Sequence, residues 1–132
     1  VALFEEFVAP FARAGTTVHV GGAVGIDTAA LDWLAQCTDA GIVVVVPCTV
    51  ADQPDVAAAA VRRWQDAHRL AAVVELGAAR LGSDAYHARN RWMVDRSRLV
   101  VGFPLGDEPT AGTRYTLDYA AALGVPRLVV PV

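Results

Sequence analysis

The chain has 132 residues, of which 55% are apolar, and a formal charge of −3. That is enough for one domain with a sizeable core, and too apolar for a disordered chain. The mild acidity gives no general signal for nucleic acid, and no apolar run reaches the roughly 20 residues of a membrane helix.

All eleven basic residues are Arg, so a lysine nucleophile, a Schiff base and a phosphate-loop lysine are excluded. Cys37 and Cys48 have neither a metal nor a redox spacing. Both stand in apolar contexts and read as buried thiols of a cytoplasmic protein. His19, His68 and His87 are scattered without a ligand pattern. No metal or cofactor is expected, and no secretory signal opens the chain.

Leu3, Phe4, Phe7, Val8 and Phe11 share one face at helical spacing, which predicts a helix bent at Pro10 and ended by Gly15. Thr17 to Val20 reads as the first visible strand, although a parallel domain usually opens on a strand and one is expected upstream of Val1. A glycine turn follows. Then Ile26, Ala30, Trp33, Leu34 and Cys37 make an apolar helical stripe that stops before Gly41. Ile42 to Val46 is β-branched and continuous, as in a strand buried on both faces.

Asp52 is placed to cap the next helix, with Pro54 in its first turn and Val56, Ala60, Trp64 and Ala67 on its buried side. Ala71 to Leu76 reads as a strand. Ser83 or Asp84 then caps a helix to about Asp95. Leu99 to Phe103 is the next strand, and Pro104 to Gly112 a loop. Thr113 opens a last helix closed by Gly124, and Leu128 to Val130 is the final strand. Strands and helices alternate throughout. The expected architecture is therefore α/β, a Rossmann-like, doubly wound, mostly parallel sheet with helices on both faces, in one domain spanning 1–132.

In such sheets ligands bind beyond the carboxyl ends of the strands. The stretch Gly21-Gly22-Ala23-Val24-Gly25-Ile26-Asp27 is a strand end, a tight turn and a helix start. Glycines let the backbone approach a ligand, and the first N–H groups of a helix favour an anion, so phosphate is the expected guest. The spacing is not G-x-G-x-x-G, and Asp27 is too near to be the distant ribose-binding acid of that fingerprint. Asp27 instead addresses ribose or base, or caps its own helix. Thr113, after Gly112 at a second helix start, offers its hydroxyl and N–H to a phosphate oxygen or is an ordinary N-cap. Arg89 and Asn90 form a donor fork beside an amide that gives and accepts. Arg91, Arg96 and Arg98 read as a solvated face pairing with Asp84 and Asp95. Tyr86 and Tyr115 either stack on a base or are half-buried aromatics.

Three segments resemble known families. Gly21 to Ala30 resembles the glycine loop of the DNA-processing protein A family, and Arg89-Asn90-Arg91 with Met93 resembles that family's arginine-asparagine-arginine motif. Phe103-Pro104, Gly112-Thr113 and the stretch from Ala120 to Pro131 resemble the proline-glycine-glycine-threonine region of the lonely-guy phosphoribohydrolases. The resemblance implies a small member of one Rossmann-like nucleotide-binding superfamily, with Gly21, Gly22, Ala23, Gly25, Asp27, Arg89, Asn90, Gly112 and Thr113 at the ligand, and a homodimer. The chain departs from both families. Thr116 stands where the hydrolases carry a glutamate, Leu31 stands where the DNA-processing proteins usually carry a histidine, and the compact glycine-glycine turn is replaced by the longer Leu105-to-Ala111 loop.

Three functions compete. The first is a sensor or carrier domain for a nucleotide or other phosphate-containing small molecule. The second is cleavage of the N-glycosidic bond of a nucleoside monophosphate, with Arg89 as the matching arginine. The third is single-stranded DNA binding through Arg91, Arg96 and Arg98.

Overall fold

The computed structural model of the chain describes residues 2–21, 26–104 and 111–132. Gly22, Ala23 and Gly25 of the expected site, and most of the loop expected from Pro104 to Gly112, lie outside them. In order the elements are α1 (Ala2–Phe7), β1 (Thr17–Gly21), α2 (Ile26–Cys37), β2 (Gly41–Val46), α3 (Asp55–Asp66), β3 (Ala72–Glu75), α4 (Ser83–Asp95), β4 (Val100–Gly102), α5 (Ala111–Ala122) and β5 (Arg127–Val129).

Every strand pair is parallel, so the protein is α/β. The ladders close two small sheets, β1-β2-β3 and β4-β5, where the sequence suggests one. Periodicity says which segments extend; it does not say which edges pair. The chain divides into two compact units, the first ending at Ala79 and the second beginning at Arg80. No described helix is long and apolar enough to cross a membrane.

In the first unit β2 is the central strand, with Val20 opposite Val44 and Val44 opposite Val73. Ile42, Val44, Val45 and Val46 are all 0% exposed. Consecutive strand residues point to opposite faces, so both faces of β2 are covered. Each such side chain contributes roughly 1.5–3 kcal/mol when fully buried.

The helices meet this sheet differently from their apolar stripes. Leu31, Trp33 and Leu34 of α2 are buried, whereas Ile26 and Cys37 at its two ends are exposed. The first helix stops at Phe7, and Phe11 is exposed beyond it. On α3 the buried residues are Ala57, Ala58, Ala60 and Val61, while Val56 and Ala67 are exposed. Small side chains allow close approach of a helix to its neighbour, so the helix turns its alanines inward. Trp64 then sits half-buried, where its indole N–H donates to Asp32 Oδ1 at 2.8 Å. Trp33 is tied in the same way, donating to Glu5 Oε1 at 2.8 Å. Asp52 does not cap α3. It lies in a 3-10 turn, Val50–Asp52, capped by Thr49, and α3 starts after Pro54 without a side-chain cap.

The end of α3 positions one further side chain. His68 takes a positive φ of 56°, its N–H donates to Gln65 O, and the N–H of Arg69 donates to Trp64 O. This is the Schellman closure, with histidine where glycine is usual. It delivers Arg69 to the C-terminus of α2. There the guanidinium donates to the carbonyls of Leu34, Ala35, Thr38 and Ala40. A fixed cation thus answers the unpaired carbonyls and negative end of the helix dipole.

In the second unit α4 begins after Gly82 with no side-chain cap, so neither Ser83 nor Asp84 plays that part. Gly102 in β4 faces Leu117 of α5: a Cβ there would lie 3.1 Å from Leu117 Cδ2. Gly124 closes α5 as expected, at a positive φ of 73°.

Replacing Arg69 by Ala should lower stability by about 2–3 kcal/mol, because hydrogen bonds to a charged donor are lost and the α2 carbonyls are left half-buried. Arg69→Lys should recover only part of this, since one ammonium cannot span the carbonyls that the planar fork reaches. Urea unfolding of the two variants checks both expectations.

Candidate functional site

The expected site residues fall in both units. In the first, Gly21 is the buried last residue of β1, and Asp27 and Thr28 lie half-buried in the first turn of α2. An acid in that turn complements the helix dipole. All three strands of this unit run parallel, so β1, β2 and β3 leave the sheet at one rim, ending at Gly21, Val46 and Glu75. The segment after β2 folds onto the end of β3. Gly77 N–H donates to Cys48 O, Ala78 N–H to Pro47 O, and Val50 N–H to Glu75 Oε2 at 2.7 Å.

In the second unit Arg89 and Asn90 lie on α4. Arg89 is only 5% exposed. Its Nε donates to Asn90 Oδ1 at 2.7 Å, and its guanidinium lies 5.5 Å from the centre of the Tyr86 ring. The expected fork is therefore internally braced: the amide fixes the guanidinium, and the ring supports it. Thr113 is the third residue of α5, so it lies in the first turn and is not the N-cap. Gly112 precedes it in the same turn.

The face that α4 turns to α5 is polar and regular. His87, Arg91 and Asp95 follow one another at helical spacing, as do Tyr115 and Tyr119. His87 stacks on Tyr115 at 3.9 Å between ring centres with planes 5° apart. Arg91 Nη1 donates to the Tyr115 hydroxyl at 2.6 Å, and the Tyr119 hydroxyl donates to Asp95 Oδ1 at 2.6 Å. One face of Tyr115 is thus already occupied by the protein's own imidazole. Arg96 lies 3.8 Å from the centre of the Trp92 ring and donates to Trp92 O. The expected pairing of these arginines with Asp84 and Asp95 is replaced by aromatic and hydroxyl partners.

At the start of α4 a depression of about 240 Å³ is lined by Arg80, Leu81, Gly82, Ser83, Asp84 and Ala85. Among the described residues no group of three or more His, Cys, Asp or Glu is placed to hold a metal ion.

No family model, curated protein or solved structure matches this chain. The site is therefore argued from its own residues.

Two residues at the rim of the first unit carry no signal in the sequence. Glu75 ends β3 and anchors the turn after β2. Gln53, at the end of that turn, is 4% exposed, and neither atom of its side-chain amide has a hydrogen-bond partner among the described residues. A glutamine between Asp52 and Pro54 reads as solvated loop, and only the packing buries it.

The carboxylate of Asp95 accepts the Tyr119 hydroxyl and holds its pKa above the ordinary value of 10.0. Tyrosine is neutral when protonated. The raised value therefore stabilises the fold below the unfolded value, and that contribution is lost as pH rises through the native one. Asp95→Asn should bring Tyr119 back toward 10.0, which an ultraviolet titration of tyrosinate in the two proteins measures.

Proposed function

We propose that this chain is a nucleotide-binding domain, acting as a sensor or carrier for a nucleotide or nucleotide derivative. In this reading it is a Rossmann-like, doubly wound member of the superfamily that its motifs resemble. Alternating helices and strands and uniformly parallel pairing support that architecture. The turn Gly21-Gly22-Ala23-x-Gly25 takes phosphate on its backbone N–H groups, and Asp27 addresses a sugar hydroxyl or the base. In the second unit, considered by itself, Arg89 with Asn90 and the first turn of α5 with Gly112 and Thr113 are the anion-binding groups.

The observation that carries the reading is the placing of Arg89, which is 5% exposed and oriented by Asn90 and the Tyr86 ring. A guanidinium fork held rigid in this way matches phosphate through paired N–H donors. Thr116, in place of the hydrolases' glutamate, leaves cleavage without its acid and favours binding.

Ribose 5-phosphate, AMP and ADP-ribose should each raise the melting temperature if bound by the native state alone, the added stability being about 2.7 kcal/mol at a hundredfold excess over Kd. Arg89→Ala should weaken binding at least tenfold, as expected for loss of a charge-assisted contact, while Arg62→Ala, on the exposed side of α3, should not. No shift with any of the three would overturn the reading. Free adenine appearing from AMP would replace it with hydrolysis.

A further inference from the structure

We propose that Tyr115 is a positioning residue for Arg89, acting by fixing the turn of α4 that carries the guanidinium. This rests on the nucleotide-binding reading and adds a residue to its machinery.

The starting point is where Tyr115 is held. Its ring stacks on His87, 3.9 Å between centres and 5° from parallel, and its hydroxyl accepts from Arg91 Nη1 at 2.6 Å. His87 and Arg91 stand two residues before and two residues after Arg89. One side chain of α5 therefore grips α4 on both sides, along the chain, of the residue that the anion needs. Residues four apart share a face of a helix, and a step of two turns by about 200°. His87 and Arg91 thus mark the face of α4 that meets α5, and Arg89 leaves the helix on its far side. The influence of Tyr115 on Arg89 passes through the backbone of that turn.

The two contacts fix different coordinates. A flat stack of rings sets the spacing of the helices and the rotation of α4 about its axis. A hydrogen bond is short and directional, so the bond from Arg91 to the hydroxyl sets the position of α4 along that axis. Asn90 and the Tyr86 ring hold the guanidinium of Arg89 from within α4. The fork is therefore rigid relative to its own helix, and the placing of the helix becomes the placing of the fork. A displacement of about 1 Å is enough to spoil a site built on fixed groups.

The next turn supplies a comparison. Tyr119 donates to Asp95 Oδ1 at 2.6 Å, a bond of the same length between the same two helices. Asp95 stands six residues beyond Arg89, so this bond joins the helices without bracketing the guanidinium.

The test is the affinity for ribose 5-phosphate. Tyr115→Phe, which keeps the ring and loses the bond from Arg91, should weaken binding about threefold, and Tyr115→Leu, which loses both contacts, about tenfold. In an Arg89→Ala background neither substitution should change the affinity, because the group they position is gone. Tyr119→Phe should lower stability as Tyr115→Phe does, yet bind as wild type. Tyr115 variants that bind as wild type, a weakening that is the same with and without Arg89, or an equal loss of affinity in Tyr119→Phe would each make Tyr115 ordinary packing. Any of these ends the proposal and leaves the nucleotide-binding reading standing. If Tyr115→Leu does not fold, the Tyr115→Phe series decides alone. If wild type does not bind ribose 5-phosphate, or Arg89→Ala binds it as tightly as wild type, both conclusions fall together.

Discussion

The burial of β2 on both faces is the constraint that the first unit obeys. Five successive residues, Ile42 to Val46, have β-branched side chains, and a strand made of them has no side to turn to water. It must therefore sit between two paired neighbours and beneath cover on each face. Parallel pairing on both edges meets the first need, with β1 and β3 in register along it. Because parallel strands must be joined by crossovers, α2 and α3 follow from the same fact. So does the placing of every loop that leaves the three strands at one rim.

The helices are then finished by polar devices that differ between the units. In the first, the two tryptophans give their indole N–H groups to carboxylates, and Arg69 spans the open end of α2. Apolar rings thus enter the core with their one donor satisfied at its margin. In the second, α4 and α5 meet through stacked rings and hydroxyl bonds at matching helical steps. Those pairings advance in the same direction along both helices, as they do when two crossovers return to parallel strands.

In each unit a polar side chain is held against its preference for water. Arg89 is kept buried by an amide and a ring, and Gln53 is buried with its amide unanswered. Low-dielectric surroundings make such groups costly at rest and strong when a complementary ligand arrives. A surface arginine such as Arg62 has neither property.

The order of elements, the strand at Ile42 to Val46 and the glycine stop at Gly124 were all legible in the amino-acid sequence. Each depends on local rules: side-chain branching, backbone freedom, or adjacency along the chain. The buried faces of α2 and α3 were legible only in part: Trp33, Leu34 and Ala60 are buried as expected, while Ile26, Cys37, Val56 and Ala67 are not. Stripes drawn through Ile26 and Val56 assume that the largest apolar residues turn inward, whereas the packed helices chose residues that fit their neighbours. Nor could the sequence disclose the four carbonyls held by Arg69, the stacking of His87 on Tyr115 or the sealing of Gln53. These join residues far apart in the chain, or depend on space that only a packed neighbour removes. Local chemistry decided what each segment would become; its surroundings in three dimensions decided which of its atoms would be buried and which would find partners.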